Sequence, residues 1–280
     1  MRIIEVRDLS YSYQSSENLV LSNINLTVER GEFIVLTGPS GCGKTTLCRC
    51  FNGLIPHFYG GKIEGDVTIA GLSIRDQPMS EIAKHVGFVF QNPENQLFAL
   101  SVEKDVAFGL ENLALPREEI RKNVEWAMDI VGISELREKA PHELSGGQQQ
   151  KVAIASVLTM KPELMVLDEP TSFLDPLASK RLFEVISRLN RELGVSIVLV
   201  EHRLDLLSAY ANRIIVMDRG QIKADGNPRT VLSLKEVASL GIGLPKVIRL
   251  HQLLKDNGIE LGEPSISVKE FVRQVRERLK

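Results

Sequence analysis

The stretch Gly38-Pro39-Ser40-Gly41-Cys42-Gly43-Lys44-Thr45 constrains this chain more than any other. It satisfies G-x-x-x-x-G-K-[ST] and lies between an unbroken apolar run, 33–37, and a Gly- and Pro-free stretch, 45–51, that reads as a helix. Strand, glycine-rich loop and helix in that order open an α/β fold. The glycines let backbone N–H groups turn inward around phosphate oxygens, and the helix start adds a favourable partial charge. Lys44 is placed to reach the terminal phosphates of a nucleotide, and the Thr45 hydroxyl to ligate Mg²⁺. Cys42 occupies a free position of the pattern and reads as a small loop residue. It sits close in sequence to Cys48 and Cys50, with no second cluster to complete a zinc site or a disulfide framework, which favours a reducing, intracellular setting.

Two further apolar runs, 164–167 and 195–200, are continuous rather than alternating, as in parallel strands covered on both faces. Stretches 177–193 and 204–211 read as helical crossovers. Runs at 3–6 and 19–28 read as strands, and glycines alternating with β-formers between Tyr59 and Gly71 predict an antiparallel patch. From about Ser101 to Leu136 the pattern is helical, with Ile120, Val124, Ala127, Met128 and Val131 recurring at spacings of three and four; Trp126 falls off that stripe and reads as a packing residue. After Asp225 the character changes, and helical patterns at 246–254 and 267–279 mark a small accessory segment.

Composition narrows the class. With 280 residues, 43% of them apolar, a core needs no staples, and a net charge of −2 lacks the basic excess with which proteins meet phosphate backbones, so nucleic acid is not expected as a partner. No uncharged apolar stretch approaches the ~20 residues of a membrane span, and the charged first residues leave no room for a signal peptide.

Two more motifs carry chemistry. Asp168 and Glu169 follow the run 164–167, at the strand end where α/β sheets bind ligands; Asp168 is placed to hold the Mg²⁺ shell and Glu169 to polarise an attacking water. In Leu144-Ser145-Gly146-Gly147-Gln148, Ser145 and Gln148 have the spacing of a helix capping box, and the following residues suit a helix. Gly146 and Gly147 then present backbone N–H groups as a second phosphate-facing surface.

Together these residues resemble the ATP-binding subunit of an ABC transporter. Six elements match in order: the loop 38–45, Gln91 after Gly87-Phe88-Val89-Phe90, the signature 144–148, Asp168-Glu169, Ser172-Phe173-Leu174-Asp175, and His202 after Glu201. The resemblance covers about residues 1–225 and implies an α/β P-loop NTPase of ABC-ATPase type. Its parts would be a parallel sheet core, an antiparallel β subdomain, a helical subdomain at about 90–160 and a small C-terminal accessory segment, 226–280. It implies ATP and Mg²⁺ as cofactors and ATP hydrolysis as the activity. Two cassettes would form a head-to-tail dimer, with each ATP held between residues 38–46 of one chain, Thr46 included, and Ser145, Gly146, Gly147 and Gln148 of the other. Gln91 would join Thr45 and Asp168 around Mg²⁺ and link the lytic water to the helical subdomain. His202 would contact the γ-phosphate and act with Glu169, and Asp175 would signal across the dimer. Tyr13, rather than Tyr11, would stack on adenine. Phe173 departs from the family, which has a small residue there.

A narrower resemblance rests on Phe90-Gln91-Asn92-Pro93-Glu94-Asn95-Gln96, on Val106-Ala107-Phe108-Gly109-Leu110-Glu111-Asn112-Leu113 and on the tail. These look like the ATPases of energy-coupling-factor importers of vitamins or cobalt and nickel ions. Such an assignment implies a peripheral protein at the cytoplasmic face of the cell membrane, joined to a transmembrane coupling subunit and a membrane substrate-binding subunit. Glu94 is then a candidate contact for a basic residue of the coupling subunit; read alone it is equally a solvated loop carboxylate. The alternatives are the ATPase of a binding-protein-dependent importer and a non-transport ABC ATPase acting on nucleic acid. The latter usually needs a long insertion between the phosphate loop and the signature, or two cassettes in one chain.

Overall fold

The computed structural model describes residues 1–14, 16, 18–207 and 210–278. Ten strands are present among them: β1 (Arg2–Ser12), β2 (Leu21–Glu29), β3 (Phe33–Thr37), β4 (Lys62–Ile69), β5 (Leu72–Ser73), β6 (Val86–Val89), β7 (Leu164–Asp168), β8 (Ser196–Val200), β9 (Arg213–Asp218) and β10 (Gln221–Gly226). They form two sheets. A six-stranded sheet runs β10-β9-β3-β8-β7-β6, parallel throughout except for the closing β9–β10 hairpin. A four-stranded antiparallel sheet, β2-β1-β4-β5, includes the expected glycine-interrupted patch.

The continuous apolarity of the parallel strands has the cause the sequence suggests. Val35, Met165, Leu167, Ile197 and Leu199 point into one hydrophobic cluster, and Ile34, Leu36, Val166, Val198 and Val200 into the other, so both faces of the sheet are buried. The first cluster is covered by the helices Val102–Asn112, Arg117–Val131, Gly146–Leu158 and Pro176–Leu193. The stripe read on Arg117–Val131 is its buried face: Val124, Ala127, Met128 and Val131 are at most 2% exposed, and Ile120 and Trp126 pack at the margin. The second cluster lies between the sheet and the antiparallel sheet, closed by the helix Lys44–Phe51.

The tail is seated on the same body. Val231, Leu232, Val237 and Ile248 join the first cluster. The helix Lys246–Asp256 has its Lys246 N–H capped by Asp205 at 2.8 Å, and a Cβ on Gly243 would lie 3.4 Å from the carbonyl oxygen of His202. The expected crossover 204–211 contains the helix Leu204–Leu207; its positions 208 and 209, and position 279 of the expected helix 267–279, lie outside the described residues. No helix among the described residues is long and apolar enough to cross a membrane.

Candidate functional site

The site is built where β3, β6, β7 and β8 end on the same edge of the parallel sheet. From β3 the chain enters the glycine-rich loop, and two glycines there are dictated by space. A Cβ on Gly38, at φ +148°, would sit 2.1 Å from the carbonyl oxygen of Met217; one on Gly43, at φ +105°, would sit 2.9 Å from that of Val20. The loop is thus pinned against the end of β9 before the helix Lys44–Phe51 begins. Lys44 is 5% exposed and its Nζ donates to the carbonyls of Gly38 and Pro39, both at 2.9 Å, so its ammonium lies inside the loop. Cys42 is buried beside it, and burial pushes its thiol above the usual range.

Thr45 Oγ1 donates to Asp168 Oδ1 at 3.2 Å, joining the loop to the end of β7. Asp168 is 5% exposed, and burial raises its carboxyl above the ordinary carboxylate range against the pull of the Thr45 hydroxyl. Among the described residues no group of three or more His, Cys, Asp or Glu could hold a metal. A hydroxyl and a carboxylate side by side are a partial set of hard oxygen donors. That fits Mg²⁺, which keeps waters and phosphate oxygens as its remaining ligands.

Glu169 follows with φ +47°, a left-handed conformation that costs a non-glycine residue about 1 to 3 kcal/mol and is found where surrounding structure enforces it. Here its N–H donates to Val200 O at 3.1 Å, and its carboxylate is held on both oxygens. Oε2 accepts from Gln91 Nε2 at 2.9 Å and from Ser172 Oγ at 3.1 Å; Oε1 lies 3.0 Å from His202 Nε2. Gln91, Glu169 and His202, read as separate motifs, therefore converge from the ends of β6, β7 and β8. Ser172, quoted only as part of a longer match, is a direct partner of Glu169, and its position three residues on in the same turn was the available signal.

Tyr13 lies half-buried at the same edge; its hydroxyl is 3.1 Å from Thr46 Oγ1 and accepts from Arg49 Nη1 at 3.2 Å. Tyr11 is fully buried, donates to Gly60 O at 3.0 Å, and burial pushes its hydroxyl up to about 12. Of the two, only Tyr13 is partly exposed.

The signature residues stand elsewhere. Ser145 caps the helix Gly146–Leu158: its Oγ accepts from Gln148 N at 3.4 Å, and Gln148 Oε1 accepts from Ser145 N at 2.9 Å, the reciprocal box that the spacing predicts. Asp175 caps the helix Pro176–Leu193, accepting from Leu177 N at 2.8 Å and Ala178 N at 3.0 Å. Those two backbone bonds hold its carboxyl below the usual range. Ser145, Gly147, Gln148 and Asp175 line one cavity of about 290 Å³ with Lys151 and Arg181, and no residue of 38–46 shares it. The two cations were not foreseen, since a lone Lys and Arg on helix surfaces carry no pattern.

Beyond Gln91 the chain turns through Pro93–Asn95, where Glu94 is exposed. It borders a groove of about 590 Å³ with Leu97, Phe98, Pro141, His142 and Leu144. Phe98 is 65% exposed and meets Phe108 edge to face at 4.6 Å; the loop that carries it is held by buried Asp105, whose Oδ1 accepts the N–H groups of Phe98 and Ala99.

A family model described as ABC transporter matches residues 21–172. Among curated relatives, a Pyrococcus abyssi protein named as an ABC transporter ATP-binding protein is 42% identical over the whole of both chains. An energy-coupling factor transporter ATP-binding protein of Caldanaerobacter subterraneus is 41% identical over 96% of this chain and 97% of its own. Among solved structures, CbiO1 of Clostridium perfringens, described as part of the ABC transporter complex CbiONQ, superposes with a TM-score of 0.77 at 35% identity, covering 91% of this chain and 99% of that one. A dimeric ATP-binding cassette in a post-hydrolysis state with ADP and Pi matches at 0.70 and 30%, over 81% and 99%.

Proposed function

Because this chain belongs to the ABC transporter ATPase family, we propose that it hydrolyses ATP to drive a membrane importer of energy-coupling-factor type, with vitamins or cobalt and nickel ions as the cargo class. The observation that carries the hydrolytic part is the carboxylate of Glu169, held between Gln91 at 2.9 Å and His202 at 3.0 Å beside the Thr45–Asp168 pair. The importer type is supported by near full-length similarity to the energy-coupling factor relative, over 96% of this chain, and by similarity to CbiO1, over 91% of it. On this reading residues 1–225 are the cassette, with a helical subdomain at about 90–160, and 226–280 an accessory segment.

Mg²⁺, bound with the nucleotide, supplies neutralisation of the charge that develops on the transferring phosphoryl group. Thr45, Asp168 and Gln91 are the residues to hold it. Lys44 exchanges the carbonyls of Gly38 and Pro39 for phosphate oxygens, and residues 38–46 other than Pro39, which has no N–H, supply backbone donors around the phosphates. Tyr13 takes the adenine face. Glu169 aligns the attacking water and takes up its proton, while His202 orients Glu169 and meets the γ-phosphate. Ser145, Gly146, Gly147 and Gln148 complete the site of a second cassette, and Asp175, which shares a cavity with Ser145, Gly147 and Gln148, reports on closure. On this reading the groove beside Glu94 and exposed Phe98, directly after Gln91, is the surface for the membrane coupling subunit, and the chain works as a peripheral protein on the cytoplasmic face.

Glu169→Gln tests this. Turnover should fall about 10²- to 10⁴-fold, the range of a lost general base, while ATP binding and ATP-induced association of two cassettes persist. Wild-type turnover by the variant would sink the assignment. Purification from native membranes discriminates the importer types: a small substrate-binding membrane protein with a coupling subunit supports this reading, and two large permease subunits overturn it.

A further inference from the structure

Two loops carry the hydrolytic pair, and one buried carboxylate is bonded to both. Glu201 directly precedes His202 and is only 3% exposed. Its backbone N–H donates to Leu36 O at 3.2 Å, fixing it to β3. Its Oε2 accepts the N–H of His202 at 2.7 Å and that of Arg203 at 3.0 Å. Its Oε1 accepts the hydroxyl of Thr171, a fully buried residue two positions after Glu169. On the other side of His202, Arg203 Nη1 donates to Leu174 O at 3.2 Å and to Ser179 Oγ at 3.0 Å, so the histidine segment is fastened to the 169–175 loop from both flanks. The contact of His202 Nε2 with Glu169 Oε1 at 3.0 Å closes the ring.

A buried carboxylate costs folding energy unless donors surround it, and a strand end that only needed packing would be served by an apolar residue. Glu201 has three donors, and all belong to the two loops that must be held in register. We propose that Glu201 is a positioning residue of the ATPase: through Thr171 and the His202 and Arg203 N–H groups it sets the separation of His202 from Glu169, without touching nucleotide. This rests on the reading of Glu169 and His202 as the hydrolytic pair. A group that acts only on the separation of that pair changes turnover and leaves ground-state nucleotide affinity in place.

The test compares Glu201→Ala, Glu201→Gln, Thr171→Val and His202→Ala in the full-length chain, with whatever subunits accompany it on purification. MgATP turnover, affinity for a fluorescent ATP analogue and thermal melting are measured on each. Glu201→Ala should lower kcat about 10- to 100-fold, the equivalent of a lost charge-assisted hydrogen bond, with nucleotide affinity unchanged. Glu201→Gln should restore most of it, because its amide oxygen accepts the two N–H groups and its NH₂ donates to the Thr171 hydroxyl. Thr171→Val should fall between. The proposal is overturned if Glu201→Ala turns over like wild type, if it loses nucleotide affinity in step with kcat, or if Gln restores nothing. Should Glu201→Ala fail to fold, near-isosteric Thr171→Val decides: wild-type turnover there overturns the proposal equally. Wild-type turnover by His202→Ala refutes the underlying pair; an inactive His202→Ala beside a fully active Glu201→Ala refutes the positioning role alone.

Discussion

The phosphate-loop half of the site and the signature half are made in opposite ways. In the first, the chemical side chains are tied into the loop or to other strand ends: Lys44 to the carbonyls of its own loop, Thr45 to Asp168, and Glu169 to Ser172 of its own turn and to Gln91 and His202 from neighbouring strands. In the second, Ser145 and Asp175 bond only to the first turn of their own helices and face an open cavity. On the proposed reading, the difference teaches that one chain organises half of a nucleotide site internally and leaves the other half as a surface for a loop like its own on a second cassette.

The largest expected effect tests that division directly. Lys44→Ala and Ser145→Arg should each lower turnover about 10²- to 10³-fold, the scale of a lost phosphate-stabilising contact. Mixing the two variants should recover turnover that neither has alone, because the mixed pair retains one intact composite site. A mixture as inactive as its components breaks the two-half picture.

Asp168→Asn sharpens the inner half. Burial raises the Asp168 carboxyl, so its contribution favours the folded state below the ordinary carboxylate pKa and is lost as pH rises through the raised value. At neutral pH the substitution removes that cost. Without nucleotide the variant should melt no lower than wild type, while the extra stabilisation by MgATP over ATP alone should shrink. A marked drop in the nucleotide-free melting temperature contradicts this account.

Ser145→Ala addresses the outer half. Loss of the cap should cost about 1 kcal/mol in a urea titration, with nucleotide affinity of the isolated chain untouched. Phe173→Ala should do least to the fold: the ring is 68% exposed, and stability should stay within about 0.5 kcal/mol of wild type. Its effect belongs to the association of two cassettes, read by sedimentation with ATP and the Glu169→Gln background.

What the sequence made legible follows the same line. Local chemistry was readable: the loop 38–45 between strand and helix, the Ser145–Gln148 box, and the double-sided burial of 164–167 and 195–200. Each of these is a pattern within a few residues, where spacing alone fixes geometry. Long-range convergence was legible only through the resemblance, which joins Gln91, Glu169 and His202 at one site; outside the matched motifs it was not. Thr171 and Glu201 are ordinary polar residues in a row of letters, and their pairing appears only when β7 and β8 lie side by side in register. The seating of the tail was hidden for the same reason, since nothing in Gly243 or Asp205 announces a contact with the His202 segment or with Lys246.

The cap on Ser145 has one more consequence. Its hydroxyl donates to Gln148 Oε1 at 3.2 Å while accepting from Gln148 N. Meeting a phosphate oxygen therefore exchanges one hydrogen bond for another, and separating from it lets the serine return to glutamine with no polar group left bare. That exchange offsets part of what a charge-assisted phosphate contact gains, which on the proposed reading suits a surface that has to let go once per cycle. On that reading, reversibility begins in the first turn of a single helix, before any partner arrives.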